Sequence, residues 1–171
     1  MVHSPDYRRT FAEFLKIDFP RIPYPPCSAD FAHVSEKGEA LRRLHLMEAP
    51  AIGDTPFAFI GEGDDVVAAG YPNWADRPTA ANPSPRRAAR ESPSPAGGEG
   101  RVYINPDQFF DAVPAIIWDF PIGGYRPAQK WLKDRRGRVL SWDNIGHYQK
   151  IIKILGETDR IMGEIVLPIA D

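Results

Sequence analysis

The sequence contains a single cysteine, Cys27, among its 171 residues. One thiol excludes an internal disulfide framework and favours a reducing cytoplasm. No stretch approaches the roughly 18 apolar residues that a membrane-spanning helix needs, and the start MVHSPDYRRT lacks the apolar segment of a signal peptide. We therefore predict a cytoplasmic protein with no membrane partner.

Patterns typical of catalytic and metal sites are also missing. The four histidines are scattered along the chain and show no HExxH or other metal-like pairing. Ser141 has no Gly-x-Ser-x-Gly context, and the aspartates show no spacing that suggests a carboxylate pair. We predict that this chain holds no catalytic residue, no metal and no cofactor of its own.

The apolar and charged fractions, 43% and 26%, are ordinary for a globular protein, but the 18 prolines are numerous and clustered. Positions 75–100 are rich in proline, serine, alanine and arginine and close with glycines, so they cannot build a core. We therefore predict a single domain over residues 1–171 that is interrupted by a disordered insertion at 75–100.

The spacing of the apolar residues and the positions of the prolines and glycines predict an α+β fold. It is expected to have short strands, a basic helix after the Gly123-Gly124 turn and a long C-terminal amphipathic helix. Helices are expected at 6–18, 28–48, 105–110 and 127–133 and from about 142 to 165. Strands are expected at 57–60 and 66–69, as a strand pair or hairpin, and at 102–104 and 116–122. The stretch 18–26 holds four prolines and is expected to be an extended strap. Three tryptophans are expected in the core: Trp118, Trp131 and Trp142.

The segment Arg126–Arg138, here called the basic element, carries six basic residues and one acidic residue. Its local net charge of +5 contrasts with a net charge of -2 for the whole chain. A basic surface on a slightly acidic protein favours a polyanion such as nucleic acid. The alternative is an ordinary solvated helix face.

Several segments, in order, resemble the C-terminal specificity domain of type ISP restriction-modification enzymes and related adenine-specific DNA methyltransferase-type proteins. They are FLKIDFPRIPY (14–24), LHLM (44–47), RVYIN (101–105), IGGYRPAQKWLKDRRGR (122–138), HYQKII (147–152) and ETDRIM (157–162). The insertion at 75–100 is longer than the link that precedes RVYIN in that family. The GGY-x-PAQKWLKDR segment is long and specific.

This resemblance implies a prokaryotic DNA target-recognition domain that binds double-stranded DNA beside an adenine methyltransferase. The chain has neither an Asn/Asp-Pro-Pro-Tyr/Phe motif nor a GxxxxGK[ST] loop. We therefore expect S-adenosylmethionine to bind only in a methyltransferase part outside this chain, and a methyltransferase or helicase-nuclease subunit is a possible partner. The expected DNA-binding residues are Arg126, Lys130, Lys133, Arg135, Arg136 and Arg138 for phosphates, Gln129 and Tyr125 for bases or sugars, and Arg21 on the strap.

Three alternatives remain open. The GGY-x-PAQKWLKDR segment can be scaffold, with Lys130 or Lys133 in internal ion pairs, and Arg21 can pair with a carboxylate. The chain can be an interaction module or split-gene remnant that docks on a separate methyltransferase subunit without binding DNA alone. It can also be a decayed fragment with no present role.

Overall fold

A computed structural model describes residues 5–17, 25–77 and 98–165. The chain divides into two compact units. The first contains the residues up to Gly53 and those from Gly156 onward, and the second contains Asp54–Leu155. Most of the predicted strap, including its Arg21, lies outside the described residues, as does most of the predicted insertion.

The first unit is helical. Its elements are α1 (Pro5–Thr10), a 3-10 turn (Phe14–Lys16), α2 (Ser28–His45), α3 (Ala49–Ile52) and the C-terminal end of α6 (Trp142–Glu164). The first predicted helix is thus shorter than 6–18 and continues only as a 3-10 turn. The second ends at His45 rather than at position 48, and it runs unbroken through Gly38.

Helix α2 begins with a cap that its sequence signals only weakly. Cys27 is extended, and its sulfur accepts a hydrogen bond from the backbone N–H of Asp30 at 3.5 Å. Within the same unit, the Lys37 ammonium pairs with the Glu164 carboxylate at 2.6 Å, and the His45 ring contacts the Thr158 hydroxyl at 2.9 Å. These contacts fasten α2 to the end of α6.

The described part of the second unit contains four strands, β1 (Phe59–Ile60), β2 (Asn73–Asp76), β3 (Glu99–Tyr103) and β4 (Phe109–Pro114). They form an antiparallel sheet in the order β1-β4-β3-β2. The helices are α4 (Ala115–Trp118), α5 (Pro127–Lys133) and the first part of α6. The predicted α+β class is therefore confirmed.

Two predicted elements have the wrong type. Phe109 and Phe110 belong to strand β4 rather than to a helix, because Asn105-Pro-Asp-Gln forms the tight connection of the β3–β4 hairpin. Ala115–Trp118 is a helix rather than the start of a strand. A four-residue apolar run cannot show by periodicity alone whether it is helical or extended.

The predicted hairpin between 57–60 and 66–69 is also wrong. Strand β1 pairs with β4, whereas Val66 and Val67 make isolated bridges to Val139 and Arg136. The ends of the predicted insertion need correction too, since positions 75–76 and 99–100 are paired strand residues of β2 and β3. Residues 78–97 lie outside the described part of the chain.

One sheet face packs on α6 to form the core of the second unit. The Phe110 ring contacts the rings of Phe59 and Tyr148, at centroid-to-centroid distances of 4.9 Å and 4.6 Å, respectively. Val102, Val113 and Ile152 are fully buried. The three tryptophans differ from the prediction: Trp118 is buried and Trp131 half-buried, but Trp142 is 82% exposed.

Candidate nucleic-acid interface

Helix α5 forms the first half of the basic element and is fixed by its apolar side. Pro127 occupies the first turn, where a missing N–H is tolerated. Ala128 and Leu132 are fully buried, and the buried Tyr148 hydroxyl donates to the Ala128 carbonyl at 3.0 Å. Burial of the hydroxyl raises the pKa of Tyr148, which keeps it protonated as a donor. The opposite side of the helix is therefore the exposed, basic one.

Trp131 links this helix to α6 and to the turn that follows. Its ring stacks on Tyr148 at 5.3 Å and lies 5.6 Å from His147. Burial lowers the pKa of His147, and the charges of Arg135 and Lys150 lower it further. The neutral imidazole is therefore favoured next to this cationic surface.

Two of the six basic residues have carboxylate partners among the residues that the structure describes. Arg126 pairs with Asp119 at 3.2 Å, and Lys130 pairs with Asp134 at 2.7 Å one turn along the same helix. The four side chains are all about half exposed, so each pair contributes only about 0–1 kcal/mol to stability. Lys130 thus makes an ion pair of the kind that the scaffold alternative expects, and a pair this exposed is weak.

The two candidate base readers differ. The Gln129 amide donates to the Asp119 carboxylate at 2.9 Å and to the Trp118 carbonyl at 3.3 Å, while its oxygen accepts from the Lys133 ammonium at 2.9 Å. Gln129 is therefore held by the protein itself. Tyr125 is 51% exposed in the turn before α5.

The remaining four basic residues have no carboxylate partner within the described residues. Arg135 is half-buried, with its guanidinium 3.5 Å from the centre of the Trp131 ring. Arg136 donates to the Tyr71 carbonyl. Lys133 contacts only the Gln129 amide, and the exposed Arg138 side chain makes no polar contact in the part of the chain described. These residues form the cationic surface of the end of α5 and of residues 135–138, here called the turn.

The turn is held in place by residues 61–68, here called the supporting loop. Val67 accepts from the N–H of Gly137 at 2.8 Å and donates to the Arg138 carbonyl at 3.2 Å. Leu140 donates to the Asp65 carbonyl at 2.8 Å. The backbone that carries Arg136 and Arg138 is thus fixed although their side chains face solvent.

The supporting loop is in turn bound by a buried polar side chain, Gln108, that sequence reasoning missed. Its oxygen accepts from the Asp65 N–H at 2.9 Å and from the Asn105 amide at 2.8 Å, and its amide donates to the Asp65 carboxylate at 2.6 Å. Gln108 is only 2% exposed. The available signal was Asn105-Pro-Asp-Gln, because asparagine followed by proline is typical of a turn.

A second charged cluster lies on the sheet and is internally satisfied. Asp111 accepts from Arg77 at 2.6 Å and from Arg101 at 3.0 Å. Burial acts to raise the pKa of Asp111, but the hydrogen bonds and charges of the two arginines outweigh burial and hold that pKa low. Arg101 also lies 4.3 Å from the centre of the Phe109 ring. This cluster serves the sheet rather than an external anion.

The segment after the turn exposes apolar side chains. Val139 is 63% exposed and Trp142, the first residue of α6, is 82% exposed. The Ser141 hydroxyl accepts from the Asn144 N–H at 3.2 Å, as expected of a cap. At 100° per residue, Trp142 lies about 60° around the helix from the buried Ile145 and about 120° from the buried Tyr148. Trp142 is thus at the edge of the apolar face, at the first residue of the helix, and its indole is exposed.

Across the described residues, no group of three or more histidine, cysteine, aspartate or glutamate side chains could hold a metal ion. None of the helices in the part of the chain described is long and apolar enough to cross a membrane.

The chain belongs to the family of type ISP C-terminal specificity domains, whose model matches residues 1–164. The resemblance drawn from the sequence segments is thereby confirmed. The fold is similar to part of a chain in a DrdV–DNA complex solved by cryo-electron microscopy, with a TM-score of 0.63 and 18% identity. The match covers 96% of this chain and 17% of that chain. No curated protein sequence matches this chain.

Proposed function

We propose that this chain is the DNA target-recognition domain of a type ISP restriction-modification system. Family membership supports the role, and the DNA complex that contains a similar fold supports DNA as the ligand. The basic element is the proposed contact surface. S-adenosylmethionine, adenine methylation and cleavage belong to parts outside this chain, in a prokaryotic cytoplasm.

The observation that carries this proposal is the group of exposed cations without carboxylate partners, within the described residues, on a rigidly held backbone. Lys133, Arg136 and Arg138 all face solvent, and the supporting loop fixes the turn that bears the two arginines. A phosphate that binds to these three side chains replaces water and does not have to break a strong internal ion pair. Fixed cations of this kind set the position and orientation of a protein on duplex DNA.

The nine residues named from the sequence take different roles in this proposal. Lys133, Arg136 and Arg138 hold phosphates, with Arg126 and Lys130 as additional contacts once their exposed pairs open. Arg135 and Gln129 are support residues, and Tyr125 remains the candidate for a sugar or base contact. Arg21 stays a prediction because it lies outside the described residues.

A second candidate function is a docking module for a methyltransferase or helicase-nuclease subunit. It is favoured by exposed apolar side chains in the helical unit, where Ile17 is 87%, Phe31 63% and Leu46 62% exposed. Exposed apolar groups are typical of surfaces that become covered in an assembly. The two functions are compatible, because they use different parts of the chain.

The test is the salt dependence of binding to random-sequence duplex DNA, measured by fluorescence anisotropy. Each phosphate contact contributes about 0.9 to the slope of log affinity against log salt concentration. The double variant Lys133→Ala/Arg138→Ala is expected to bind more weakly and to lower that slope by about 2. The matched control is Arg43→Ala, which removes an exposed cation of α2 that pairs with Glu39.

A slope that falls for the double variant and not for Arg43→Ala supports the proposed surface. Equal slopes for all three proteins would place the phosphate contacts elsewhere on the chain. A folded wild-type chain that binds no duplex DNA even at low salt would reject autonomous recognition and favour the docking module.

A further inference from the structure

The most exposed aromatic side chain described in the second unit is Trp142, which lies four residues after the end of the basic element. Its 82% exposure is unusual because tryptophan is highly buried on average in folded proteins. Val139, at 63% exposure, precedes it by three residues. The core does not use the indole, so its large apolar surface is available to a ligand.

The residues that precede this apolar pair are cationic, whereas the exposed Asp143 follows Trp142 directly. Arg138 has no polar partner in the described part of the chain, and Arg136 uses its Nε atom on the Tyr71 carbonyl. Four residues of extended chain span at most about 14 Å, so the Cα atoms of Arg138 and Trp142 are no further apart than that. Four steps along one DNA strand, at about 3.4 Å each, cover the same distance.

The backbone that carries the indole is held before and after Trp142. Two residues before it, the Leu140 N–H donates to the Asp65 carbonyl, and two residues after it, the Asn144 N–H donates to the capping Ser141 hydroxyl. An exposed aromatic ring on a rigid backbone beside exposed cations has the properties of a side chain that stacks on nucleic-acid bases. A surface that binds only phosphates does not need an exposed aromatic ring, because it binds them through charge and hydrogen bonds.

We propose that Trp142 is a wedge residue: its indole stacks on the bases at an opened step of the duplex while Arg138 binds a nearby phosphate. This inference rests on the proposed function, because it takes duplex DNA as the ligand. Val139 supports the ring by covering the sugar edge of the same step. The wedge unstacks bases at one point of the recognition site, which a purely electrostatic surface does not do.

The experiment compares binding of the full chain to two short duplexes of the same sequence, one of which has a single central mismatch. Opening a mismatched step costs less unstacking energy, so the wild type is expected to bind the mismatched duplex more tightly. Trp142→Ala is expected to lower affinity by about 5- to 150-fold and to bind both duplexes equally. Trp142→Phe, which retains an aromatic ring, is expected to keep the preference.

Two further variants separate stacking from charge and from general apolar loss. Trp142→Ala is expected to leave the salt slope unchanged, whereas Arg138→Ala lowers it by about 1. Ile116→Ala removes another exposed apolar side chain, 47% exposed on α4, and is expected to bind both duplexes like the wild type. Because Trp142 is exposed, its substitution is expected to leave the melting temperature close to that of the wild type.

Wild-type affinity and mismatch preference in Trp142→Ala would overturn the wedge while leaving DNA recognition intact. A wild type that binds neither duplex would overturn the wedge and the proposed function together. Self-association that Trp142→Ala abolishes without a change in DNA affinity would also overturn the wedge and identify this face as an interface between copies of the chain.

Discussion

The guanidinium of Arg135 lies over the ring of Trp131, with 3.5 Å between the guanidinium carbon and the ring centre. The same guanidinium donates to the Trp131 carbonyl at 3.0 Å. The guanidinium thus binds a backbone carbonyl in the last turn of α5 and covers one face of the Trp131 ring. Arg135 is therefore a stabilising residue of the basic element, in contrast to Arg138, which has no polar partner among the described residues.

We expect Arg135→Ala to lower the free energy of unfolding by about 1–2 kcal/mol, since it removes a partly desolvated cation–π contact and a hydrogen bond. Arg138→Ala is the matched control and is expected to change stability by less than about 0.5 kcal/mol. Urea denaturation measures both. Equal effects of the two substitutions would contradict the structural role of Arg135.

Stability is expected to fall as the pH decreases below about 6.5, the ordinary pKa of histidine. The pKa of His147 is lowered in the folded state by burial and by Arg135 and Lys150, so the unfolded chain binds more protons in this range. The free energy of unfolding therefore decreases as the pH falls from the pKa of His147 in the unfolded chain to its lower pKa in the folded protein.

The measurement is the melting temperature of the wild type and of His147→Gln between about pH 7.5 and pH 5.5, a range above the ordinary pKa values of about 4 for carboxyl groups. The wild type is expected to lose more stability across this range than the variant, which has no imidazole to protonate. Parallel curves for the two proteins would show that His147 does not titrate differently on folding.

Two glycines are expected to respond in opposite directions to alanine. Gly61 has a φ of +112°, and a Cβ there would lie 2.0 Å from the Asp107 carbonyl oxygen, so Gly61→Ala is expected to destabilise the protein by several kcal/mol. Gly38 lies inside α2, and a Cβ added there would meet nothing within 4 Å. Gly38→Ala is expected to stabilise by about 0.5–1 kcal/mol.

Thermal or urea unfolding of the two variants checks this pair. A neutral Gly61→Ala would mean that the supporting loop moves away from the β3–β4 turn at little energetic cost. A destabilising Gly38→Ala would mean that its exposed position on the helix is needed for a contact beyond the described residues.

The sequence predicted the parts of the fold that depend on long periodic patterns. The long helix α6 and the basic helix after Gly123-Gly124 are where the apolar spacing and Pro127 placed them. The type of Ala115–Trp118 and the pairing of β1 were mispredicted, because short apolar runs carry too few residues to define a period and strand partners are set by distant contacts.

Prediction of the functional site was limited in a similar way, because the sequence located the basic element but not the role of each residue in it. Positive charge located the basic element, but charge alone does not distinguish Arg135, which stacks on Trp131, from Arg138, which has no partner in the described residues. The exposure of Trp142 was unexpected because tryptophan usually indicates a core. Gln108 was missed because a polar residue in a predicted helix gives no sign that it will be buried in a turn.

The hydrogen bonds of the supporting loop have a consequence for local opening of the fold. Gln108 holds the N–H of Asp65, and the loop in turn holds the N–H groups of Gly137 and Leu140. Groups linked in this way open together as one cooperative unit rather than one at a time. The amides of Asp65, Gly137 and Leu140 should therefore exchange with solvent deuterium at one common free energy, and the β3–β4 turn sets how long the cationic turn stays closed.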